Sequence, residues 1–541
     1  MPLRIGIDLG TTNCCIAVRR EVSDPKGNVS TLTEVITDGN NAMIPSVVSF
    51  RNNNIIFGDQ ARRRMDSDPA STIFEVKRFI GRKFSDPEIQ ENLKSSVPGH
   101  PPRWPFRVES DGPPLHNPSI KVQYQGRQRT FSPEQVSGFL LKYLKEIAER
   151  RLGDTVDTVA VTCPAYFNDG QRQATKDAAE LAGFRSVRIL NEPTAAVLAL
   201  KEKDPSSIGK RVLVFDFGGG TLDVSICDVS SKEVTVVATG GDCYLGGADI
   251  DRKLVDLAVK KFKVENRCFN QPIEPEKMAE LRLAVEDAKI GLTTAMDVDV
   301  FVKQFTNNHL EIIITRDEML EECKELFAKA MGVVDSLLEA KRLTRVDIDI
   351  VLPVGGSSRI PRVRELLNQR FPGKVKEAVN PADAIAMGAA CSFFHQLNDI
   401  IPLSLGTDLI GDRMSVIVPR FSRLPCSFSS SYITSKDNQR GMGIQILEGE
   451  SPVASENHKL GFFELTGLTE RPKGQTAAEI TMSINSDGIL EVTAVETSKN
   501  SNRRTICVEA IRGRLSTDEK QVQRTEINSL MAARRPATAR R

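Results

Sequence analysis

The sequence contains no pair of cysteines at the C-x-x-C spacing that zinc sites use, and it has only five histidines in 541 residues. Its ten cysteines are scattered along the chain, apart from the adjacent Cys14 and Cys15. Metal-binding cysteines and histidines come at short, regular spacings, so this scatter argues against a zinc site. Scattered cysteines in a chain of this length are typical of a reduced, intracellular protein.

The sequence also has no excess of positive or negative charge, and it has no long apolar run. Lys and Arg number 72 against 71 Asp and Glu, and the net charge of +1 gives no electrostatic reason to expect nucleic acid as a partner. No apolar stretch reaches the ~18 residues of a membrane span. The N-terminus has no basic region followed by an apolar run, and the final Arg540-Arg541 is not an ER-retention signal. We therefore expect a cytoplasmic protein with no membrane contact.

The order of apolar patterns divides the chain into two kinds of domain. A chain this long exceeds one hydrophobic core. In its first part, short apolar runs alternate with amphipathic segments, which is the pattern of an α/β domain. Alternating apolar positions then predict a β-sandwich, and the polar sequence after Leu515 predicts a frayed helix and a disordered, solvated tail. The predicted boundaries are 1–397 for the α/β domain, 398–402 for a linker, 403–512 for the β-domain and 513–541 for a C-terminal remnant.

Local signals predict particular elements inside these domains. Ser132 begins a helix with a capping box, and Gly153 ends it. Asn168 caps a second helix. Asp487-Gly488 lies between two alternating apolar segments and predicts a hairpin with a two-residue turn.

Two segments resemble each other and contain the residue types that bind phosphate and metal. Residues 5–13 read IGIDLGTTN, and residues 214–223 read VFDFGGGTLD. Each is an apolar strand that ends in an aspartate, Asp8 or Asp216, followed by glycine and a hydroxyl residue. Glycines allow backbone N–H groups to approach phosphate oxygens without an intervening Cβ. Carboxylates suit a hydrated Mg²⁺. Two such turns facing each other would hold a polyphosphate from both sides.

Neither turn matches the P-loop or the dinucleotide-binding motif, and each alone also fits an ordinary glycine-rich turn. A third glycine cluster, 355–359 (GGSSR), follows an apolar run and is placed to approach a base or a ribose. Glu286, Lys289 and Thr293 fall on one helix face at i, i+3 and i+7. Alone, those three also fit an ordinary surface ion pair.

Taken in order, these motifs resemble the 70-kDa heat-shock chaperones, over nearly the whole chain to about residue 515. The family's ATPase domain shares the fold of actin and hexokinase. The resemblance implies an α/β, actin-like ATPase domain of two ribonuclease H-like halves, followed by an all-β substrate-binding sandwich. The further matching segments are 77–82 (KRFIGR), 164–169 (PAYFND), 191–196 (NEPTAA), 245–247 (LGG), 380–381 (NP), 388–390 (GAA) and 402–406 (PLSLG).

The resemblance implies a site for ATP or ADP with Mg²⁺, in which Asp8 and Asp216 hold the metal through water. Lys77 would lie by the γ-phosphate, where its charge stabilises the transition state. Pro164 resembles the family's switch proline, which couples nucleotide state to the second domain. The implied catalytic residues are Asp8, Lys77, Glu192, Asp216, Thr221 and Asp223. The implied nucleotide contacts are Gly10, Thr11, Thr12, Asn13, Gly218, Gly219, Gly220, Gly247, Glu286, Lys289, Thr293, Gly355, Gly356, Ser357 and Arg359.

The sequence departs from the family at the adenine pocket and at the linker. Ile290 stands where the family has an arginine that stacks on the base, while Arg359 keeps the other side of the clamp. Ala248 replaces an acidic residue. The loss of one cation–π-like contact costs ~1 kcal/mol, so we expect weaker nucleotide binding than in standard members. The segment 396–401 is several residues shorter than the family's linker, which predicts weakened coupling between ATP state and peptide binding.

The β-domain keeps the outline of the family's peptide cleft, where an extended apolar peptide binds through backbone hydrogen bonds and a side-chain pocket. Met442 is larger and softer than the usual aliphatic residue and is expected to reshape the pocket. The same positions also fit the core of a sandwich. The aligned positions are Thr407, Leu409, Ile410, Tyr432, Ser435, Met442 and Ile444. About 25 residues follow Leu515, too few for the family's helical lid, so we expect bound peptide to leave faster.

Three functional hypotheses follow. The first is an ATP-dependent chaperone that binds apolar peptides as a monomer, with J-domain co-chaperones and nucleotide-exchange factors as partners. The second is a co-chaperone or nucleotide-exchange-like relative with a weak or uncoupled ATPase, which the short linker and reduced lid favour. The third is an actin-fold small-molecule kinase, against which the 402–406 motif and the β-domain argue, because a kinase does not need them.

Overall fold

The structure is a computed structural model of the chain. It describes residues 3–23, 29–51, 53–94, 102–113, 116–267, 271–497, 503–507 and 515–534. These residues form two α/β lobes, a pair of four-stranded sheets and a C-terminal helix. Across those ranges, every helix is either too short or too polar to cross a lipid bilayer.

The first lobe contains a mixed main sheet and two separate small antiparallel sheets. Its strands are β1 (Arg4–Leu9), β2 (Asn13–Ser23), β3 (Val29–Ile36), β4 (Ile44–Pro45), β5 (Val48–Arg51), β6 (Asn54–Phe57), β7 (Thr72–Ile73), β8 (Arg107–Ser110), β9 (Pro118–Tyr124), β10 (Arg127–Phe131), β11 (Thr158–Cys163) and β12 (Ser186–Asn191). Its helices are α1 (Gly58–Arg62), α2 (Pro87–Leu93), α3 (Pro133–Leu152) and α4 (Asp169–Leu181). The main sheet has the order β12-β11-β1-β2-β3. In it, β1 lies between the parallel β11 and the antiparallel β2.

The helix signals read from the sequence are confirmed in this lobe. Ser132 accepts a hydrogen bond from the Gln135 backbone, and the Gln135 side chain accepts one from the Ser132 backbone, so α3 begins with a capping box. Gly153 ends α3 with a φ of 72°. Asn168 caps α4 with the same reciprocal pair.

The second lobe repeats four neighbouring strands of the first lobe's main sheet. Its strands are β13 (Arg211–Phe217), β14 (Leu222–Val229), β15 (Glu233–Asp242), β16 (Asp297–Val302), β17 (Leu310–Thr315), β18 (Ile350–Val354) and β19 (Gln396–Asn398). Its helices are α5 (Glu192–Lys203), α6 (Gly247–Asn266), α7 (Pro275–Gly291), α8 (Arg316–Glu322), α9 (Lys324–Ala340), α10 (Pro361–Arg370) and α11 (Ala384–Cys391). The main sheet has the order β18-β13-β14-β15-β19, and β13 lies between the parallel β18 and the antiparallel β14. Asp8 and Asp216 therefore occupy equivalent positions near the ends of equivalent strands, β1 and β13.

The next part of the chain forms two four-stranded sheets around one buried apolar cluster. Its strands are β20 (Leu405–Leu409), β21 (Arg413–Val418), β22 (Cys426–Ile433), β23 (Gly441–Glu448), β24 (His458–Thr466), β25 (Ala477–Ile484), β26 (Leu490–Glu496) and β27 (Arg503–Cys507). The orders are β21-β20-β23-β24 and β22-β25-β26-β27. Both sheets supply the buried cluster, from strands such as β23 and β25.

The predicted two-residue turn between β25 and β26 is wrong. Ile484 pairs with Leu490, so the connection spans residues 485–489. The Asn485 side chain accepts hydrogen bonds from the backbones of Asp487 and Ile489 at 2.9 and 3.0 Å, which organises a wider loop. Asp487 in this loop pairs with Lys176 of α4 at 2.6 Å, so the wider loop also joins the β-domain to the first lobe.

The predicted frayed, solvated helix after Leu515 is also wrong over the described residues. A capping box of Ser516 and Glu519 begins α12 (Thr517–Ala532). Ile527 and neighbouring apolar residues are buried in the core of the first lobe, and Lys520 pairs with Asp177 at 2.6 Å. The predicted basic tail from residue 535 onward lies outside the described residues.

The segment that joins the lobes to the β-domain is held on both sides. β19 pairs in parallel with β15 of the second lobe. The Asp399 carboxylate then accepts hydrogen bonds from Asn191 Nδ2 at 2.9 Å and Thr194 Oγ1 at 3.2 Å. Its backbone carbonyl accepts one from the Leu424 N–H at 2.7 Å. A short connection is therefore hydrogen-bonded to the α/β lobes and to the β-domain at one residue, Asp399.

Candidate functional site

The two glycine turns predicted from the sequence face each other between the lobes. A methyl group added to Gly219 would lie 2.1 Å from Thr12 Oγ1, and one added to Gly220 would lie 2.5 Å from Thr11 Oγ1. No residue with a Cβ fits at these two contacts. The structure thus brings together 10–13 and 218–221, which are far apart in the sequence.

Acidic side chains gather at the strand ends beneath these turns. Asp8, Asp216 and Asp223 are all buried. Burial, reinforced by the charge of Glu192, raises the pKa of Asp8 and of Asp223 to about 7 in the metal-free protein, and the same causes raise the pKa of Asp216 well above its ordinary value. Oδ2 of Asp216 and Oδ2 of Asp223 find no hydrogen-bond partner among the described residues. Such a cluster favours a bound cation.

Lys77 supplies a fixed positive charge at the edge of this cluster. It lies in a short 3₁₀ turn, Val76–Arg78, and is only 9% exposed. Its Nζ forms an ion pair with Glu192 Oε1. Burial alone would lower the pKa of Lys77, but the charges of Glu192 and Asp8 hold that pKa above its ordinary value. Lys77 therefore stays protonated at any physiological pH.

The residues present fit a hydrated magnesium ion. Nowhere in the described ranges do three or more His, Cys, Asp or Glu side chains group closely enough to ligate a metal directly. Mg²⁺ keeps several of its waters and needs only one or two carboxylates together with phosphate oxygens. Asp8 and the unpartnered Asp216 oxygen suit that mode of binding.

The glycine cluster at 355–359 packs against the 218–221 turn within the second lobe. Ser357 Oγ donates to the Gly218 carbonyl at 2.8 Å, and the Gly247 N–H donates to the same carbonyl at 3.0 Å. Arg359 is exposed, with its Nη2 donating to Asn380 Oδ1 at 2.8 Å. The structure therefore places 355–359 and Gly247 beside the 218–221 turn.

Of the three residues predicted to share one face of α7, two do so and one does not. Glu286 pairs with Arg62 at 3.0 Å, and Lys289 pairs with Asp251 at 2.7 Å. Thr293 lies past Gly291, where α7 ends, and its hydroxyl donates to the Ile290 carbonyl at 2.7 Å. The prediction of a helical i, i+7 position for Thr293 is therefore wrong, because the helix is shorter than assumed.

Asp251 belongs to the site but was not predicted from the sequence. It lies on α6 four residues after Gly247, and one of its oxygens has no hydrogen-bond partner among the described residues. It lines a cavity of about 160 Å³ that also touches Thr11, Thr12 and Asn13. Its position one helical turn beyond the LGG motif was the only available signal.

The segment that begins at Pro164 joins this cluster to the β-domain. Pro164 is buried, and the Tyr166 N–H two residues later donates to Asp223 Oδ1 at 3.2 Å. Burial, together with the charge of Glu448 in β23, raises the pKa of Tyr166 to about 12. A backbone segment bonded to the acidic cluster thus also faces the β-domain.

The residues aligned with a peptide cleft are divided between the two sheets of the β-domain and neighbouring loops, with Tyr432 on β22 and the other strand residues on β20 and β23. Thr407 and Ile444 are buried, whereas Ile410 is 78% exposed. The Tyr432 hydroxyl lies 3.0 Å from Ser415 Oγ, and the Ser435 N–H donates to Gln439 Oε1 at 2.9 Å. The remaining aligned residues are partly buried: Leu409 and Met442.

Comparisons with known proteins agree with this architecture. The family model described as Hsp70 protein matches residues 4–538. A heat shock 70 kDa protein of Neurospora crassa is 36% identical over 530 residues, covering 95% of this chain and 79% of that protein. Heat shock cognate 70 kDa protein 3 of Dictyostelium discoideum is 38% identical over 536 residues, covering 95% and 81%. A heat shock 70 kDa protein of Trichophyton rubrum is 34% identical over 552 residues, covering 99% and 81%.

Proposed function

The chain belongs to the Hsp70 family, and we infer from that membership that it is an ATP-dependent molecular chaperone that hydrolyses ATP. The observation that most supports this function is the pair of opposed glycine turns above a buried acidic cluster and Lys77. That arrangement suits a magnesium-bound triphosphate held from both sides.

We propose that the roles of the site residues follow from their contacts. Bound Mg²⁺ would supply charge neutralisation at the phosphates, with Asp8 and Asp216 holding it through water. The turns at 10–13 and 218–221 offer backbone N–H groups and threonine hydroxyls to phosphate oxygens. Lys77, held in place by Glu192, keeps a positive charge where negative charge develops during hydrolysis. Positioning and electrostatics then supply most of the catalysis.

The β-domain is proposed to bind extended apolar peptide segments. The proposed boundaries are 1–397 for the ATPase domain, 398–402 for the linker and 403–512 for the peptide-binding domain. Asp399 supports coupling between them, because it is hydrogen-bonded to Asn191 and Thr194, which flank Glu192. J-domain and nucleotide-exchange partners, a monomeric state and a cytoplasmic location stay predictions.

The test of this function is the steady-state ATPase rate with and without an apolar peptide and a J-domain protein. We expect a slow basal rate that both additions raise. A measurable rate that neither addition changes would point to an uncoupled relative. Transfer of phosphate to a small molecule would point to a kinase.

The acidic cluster predicts pH-dependent binding of Mg·ADP. The pKa values of Asp8 and Asp223 are about 7 without metal, so below pH 7 these carboxyls are protonated and Mg²⁺ must displace their protons. Affinity should rise with pH through about 7 and flatten above it, with a gain of roughly tenfold from pH 6 to pH 8 for each proton that binding displaces. Titration calorimetry in buffers of different ionisation enthalpy measures both the affinity and the released protons. Equal affinity at both pH values with no proton release would contradict the prediction.

Because Ile290 stands where the family has an arginine, replacing Ile290 by arginine should strengthen nucleotide binding. Its side chain is 57% exposed in the last turn of α7, at the position that the family resemblance assigns to a base-stacking arginine. Ile290→Arg restores a guanidinium that stacks on the base, worth ~1 kcal/mol, and should lower the Kd for ADP roughly fivefold. Val264→Arg is the matched control, because Val264 is an equally exposed apolar residue on α6. Similar effects of both variants would assign the gain to net charge instead of stacking.

A further inference from the structure

The main sheets of the two lobes share four matching strands but end differently at one edge. In the second lobe, the outer edge of β15 pairs in parallel with β19, the short strand of the connecting segment. In the first lobe, β3 holds the place of β15, and its outer edge pairs with no strand in the described part of the chain. The first lobe therefore has an open edge at the position where the second lobe has already added a strand.

The pairing registers show which residues of β3 correspond to the covered residues of β15. Counting outward from the two equivalent aspartates, through β2 in one lobe and β14 in the other, Leu32 of β3 corresponds to Thr235 of β15. The β15 residues that pair with β19 are 233–235. Residues 30–32 of β3 therefore occupy the corresponding positions on the open edge.

Burial differs between the two edges in the same way as pairing. Val234 of β15 is fully buried, and Leu397 of β19 packs against the apolar cluster that contains Val234. On β3, Ser30 and Thr31 are exposed, and Leu32 is 43% exposed. An edge strand also presents backbone N–H and C=O groups to solvent. A further strand would therefore bury the Leu32 side chain and pair these backbone groups at the same time.

A second exposed apolar side chain lies on the other face of β3. Residues alternate between the faces of a strand, so Leu32 and Thr33 lie on opposite faces. Thr33 is paired with Arg19 of β2, and the Arg19 guanidinium lies over the ring of Phe394, with Cζ 4.5 Å from the ring centroid. Phe394 is 49% exposed. Both faces next to the open edge thus present apolar surface to water.

The open edge lacks the features that usually protect edge strands from pairing. Proteins place lysine, proline, a bulge or an inward-pointing charge on such edges. The strand β3 contains neither lysine nor proline, and its pairing with β2 runs without a bulge. Its one charged residue, Glu34, forms an ion pair with Arg20 of the neighbouring β2 at 2.7 Å. The edge therefore stays competent to accept another strand.

We propose that the outer edge of β3 binds an extended segment of a partner protein as an added strand. The backbone of residues 30–32 supplies the hydrogen bonds, as residues 233–235 do for β19. Successive side chains of an added strand point to opposite faces, so the segment that fits has two or more consecutive apolar residues, which cover Leu32 on one face and Phe394 on the other. This site belongs to the first lobe, so it is separate from the proposed peptide cleft of the β-domain and does not depend on it.

The experiment measures hydrogen–deuterium exchange of the full chain by mass spectrometry, with and without a synthetic probe. The probe is a nine-residue peptide in which alternating valines and isoleucines lie between polar ends. Residues 29–36 are followed separately from the β-domain, so each site has its own readout. With the probe at about ten times its Kd, the fast-exchanging amides of 29–36 should slow about tenfold. The same peptide N-methylated at every apolar residue cannot donate backbone hydrogen bonds, so it should lose this effect.

Leu32→Lys and Ile208→Lys form the matched pair of variants. Ile208 is 41% exposed and follows a 3₁₀ turn in the second lobe, so its replacement adds the same charge at an equally exposed apolar position. The slowing at 29–36 should be lost in the Leu32 variant and kept in the Ile208 variant. Equal slowing in both variants, or equal slowing by the N-methylated peptide, would overturn strand addition at this edge.

The site-resolved readout also separates this proposal from the proposed chaperone function. Slower exchange in the β-domain alone, with no change at 29–36 up to about 1 mM probe, would leave the proposed function standing and overturn the second site. Slower exchange at 29–36 that grows with protein concentration in the absence of the probe would assign the edge to a second copy of the chain, and it would overturn the proposal of a partner protein.

Discussion

Replacing Lys77 by methionine should lower the single-turnover rate of ATP hydrolysis roughly 10²–10³-fold, the usual cost of losing one preorganised charge at a transition state. Lys77 is buried, ion-paired with Glu192 and permanently charged. Methionine keeps the length and the apolar stem but removes the charge. ATP binding should weaken much less than hydrolysis, since the two turns still hold the phosphates. Rapid mixing with radiolabelled ATP measures the hydrolysis step apart from product release.

Lys83→Met is the matched control for this prediction. Lys83 lies in the same segment six residues later, and it is exposed, so its loss should leave hydrolysis within about twofold, as for most surface substitutions. Wild-type hydrolysis by the Lys77 variant would remove Lys77 from the catalytic set. An equal loss in both variants would point to a disturbed segment instead of a missing charge.

Asp399→Asn should largely abolish the stimulation of ATP hydrolysis by an apolar peptide. One carboxylate oxygen accepts from Asn191 and Thr194, and the other accepts from the Ile400 N–H at 2.8 Å. An amide has one oxygen, so either orientation places its NH₂ group against a donor. One unsatisfied buried group costs about 1–3 kcal/mol, which shifts a docking equilibrium by a factor of about 5–150.

The measurement for Asp399 is the ratio of ATPase rates with and without peptide, alongside peptide affinity by fluorescence anisotropy. Asp204→Asn provides the control, because Asp204 follows the end of α5, the helix that begins beside Asn191, and among the described residues its side chain accepts its hydrogen bonds from Ser206. Peptide affinity should survive both substitutions in the absence of nucleotide. A normal stimulation ratio in the Asp399 variant would show that coupling does not pass through this residue.

The parts of the fold that follow local rules were predictable from the sequence. The capping boxes at Ser132 and Asn168 involve residues three positions apart, and local spacing specifies them fully. The equivalent positions of Asp8 and Asp216 were also visible, because each ends an apolar run and precedes glycine. These features explain why the facing turns were expected before the fold was known.

The features that sequence reasoning missed depend on distant partners. Lys520 bonds Glu180, 340 residues away, and that contact helps turn a polar segment into a docked helix. The wider loop at 485–489 is stabilised by a partner on α4, Lys176, which a turn rule cannot include. Asp251 of the second lobe comes beside Thr11 and Thr12 of the first only when the lobes come together. Local patterns predict elements, whereas such contacts arise from tertiary packing.

The chain has one tryptophan, Trp104, and its indole N–H donates to Glu75. The Glu75 carboxylate also accepts from Arg103, which donates as well to Asp249 of the second lobe. Its ring packs against Phe79 with centroids 4.1 Å apart, and its indole N–H is bonded to the same carboxylate that Arg103 holds. Ultraviolet emission excited at the red edge of protein absorbance therefore comes from a single, known place. Tryptophan fluorescence therefore reports on that edge of the cleft, and it can be used to follow lobe motion in unlabelled protein.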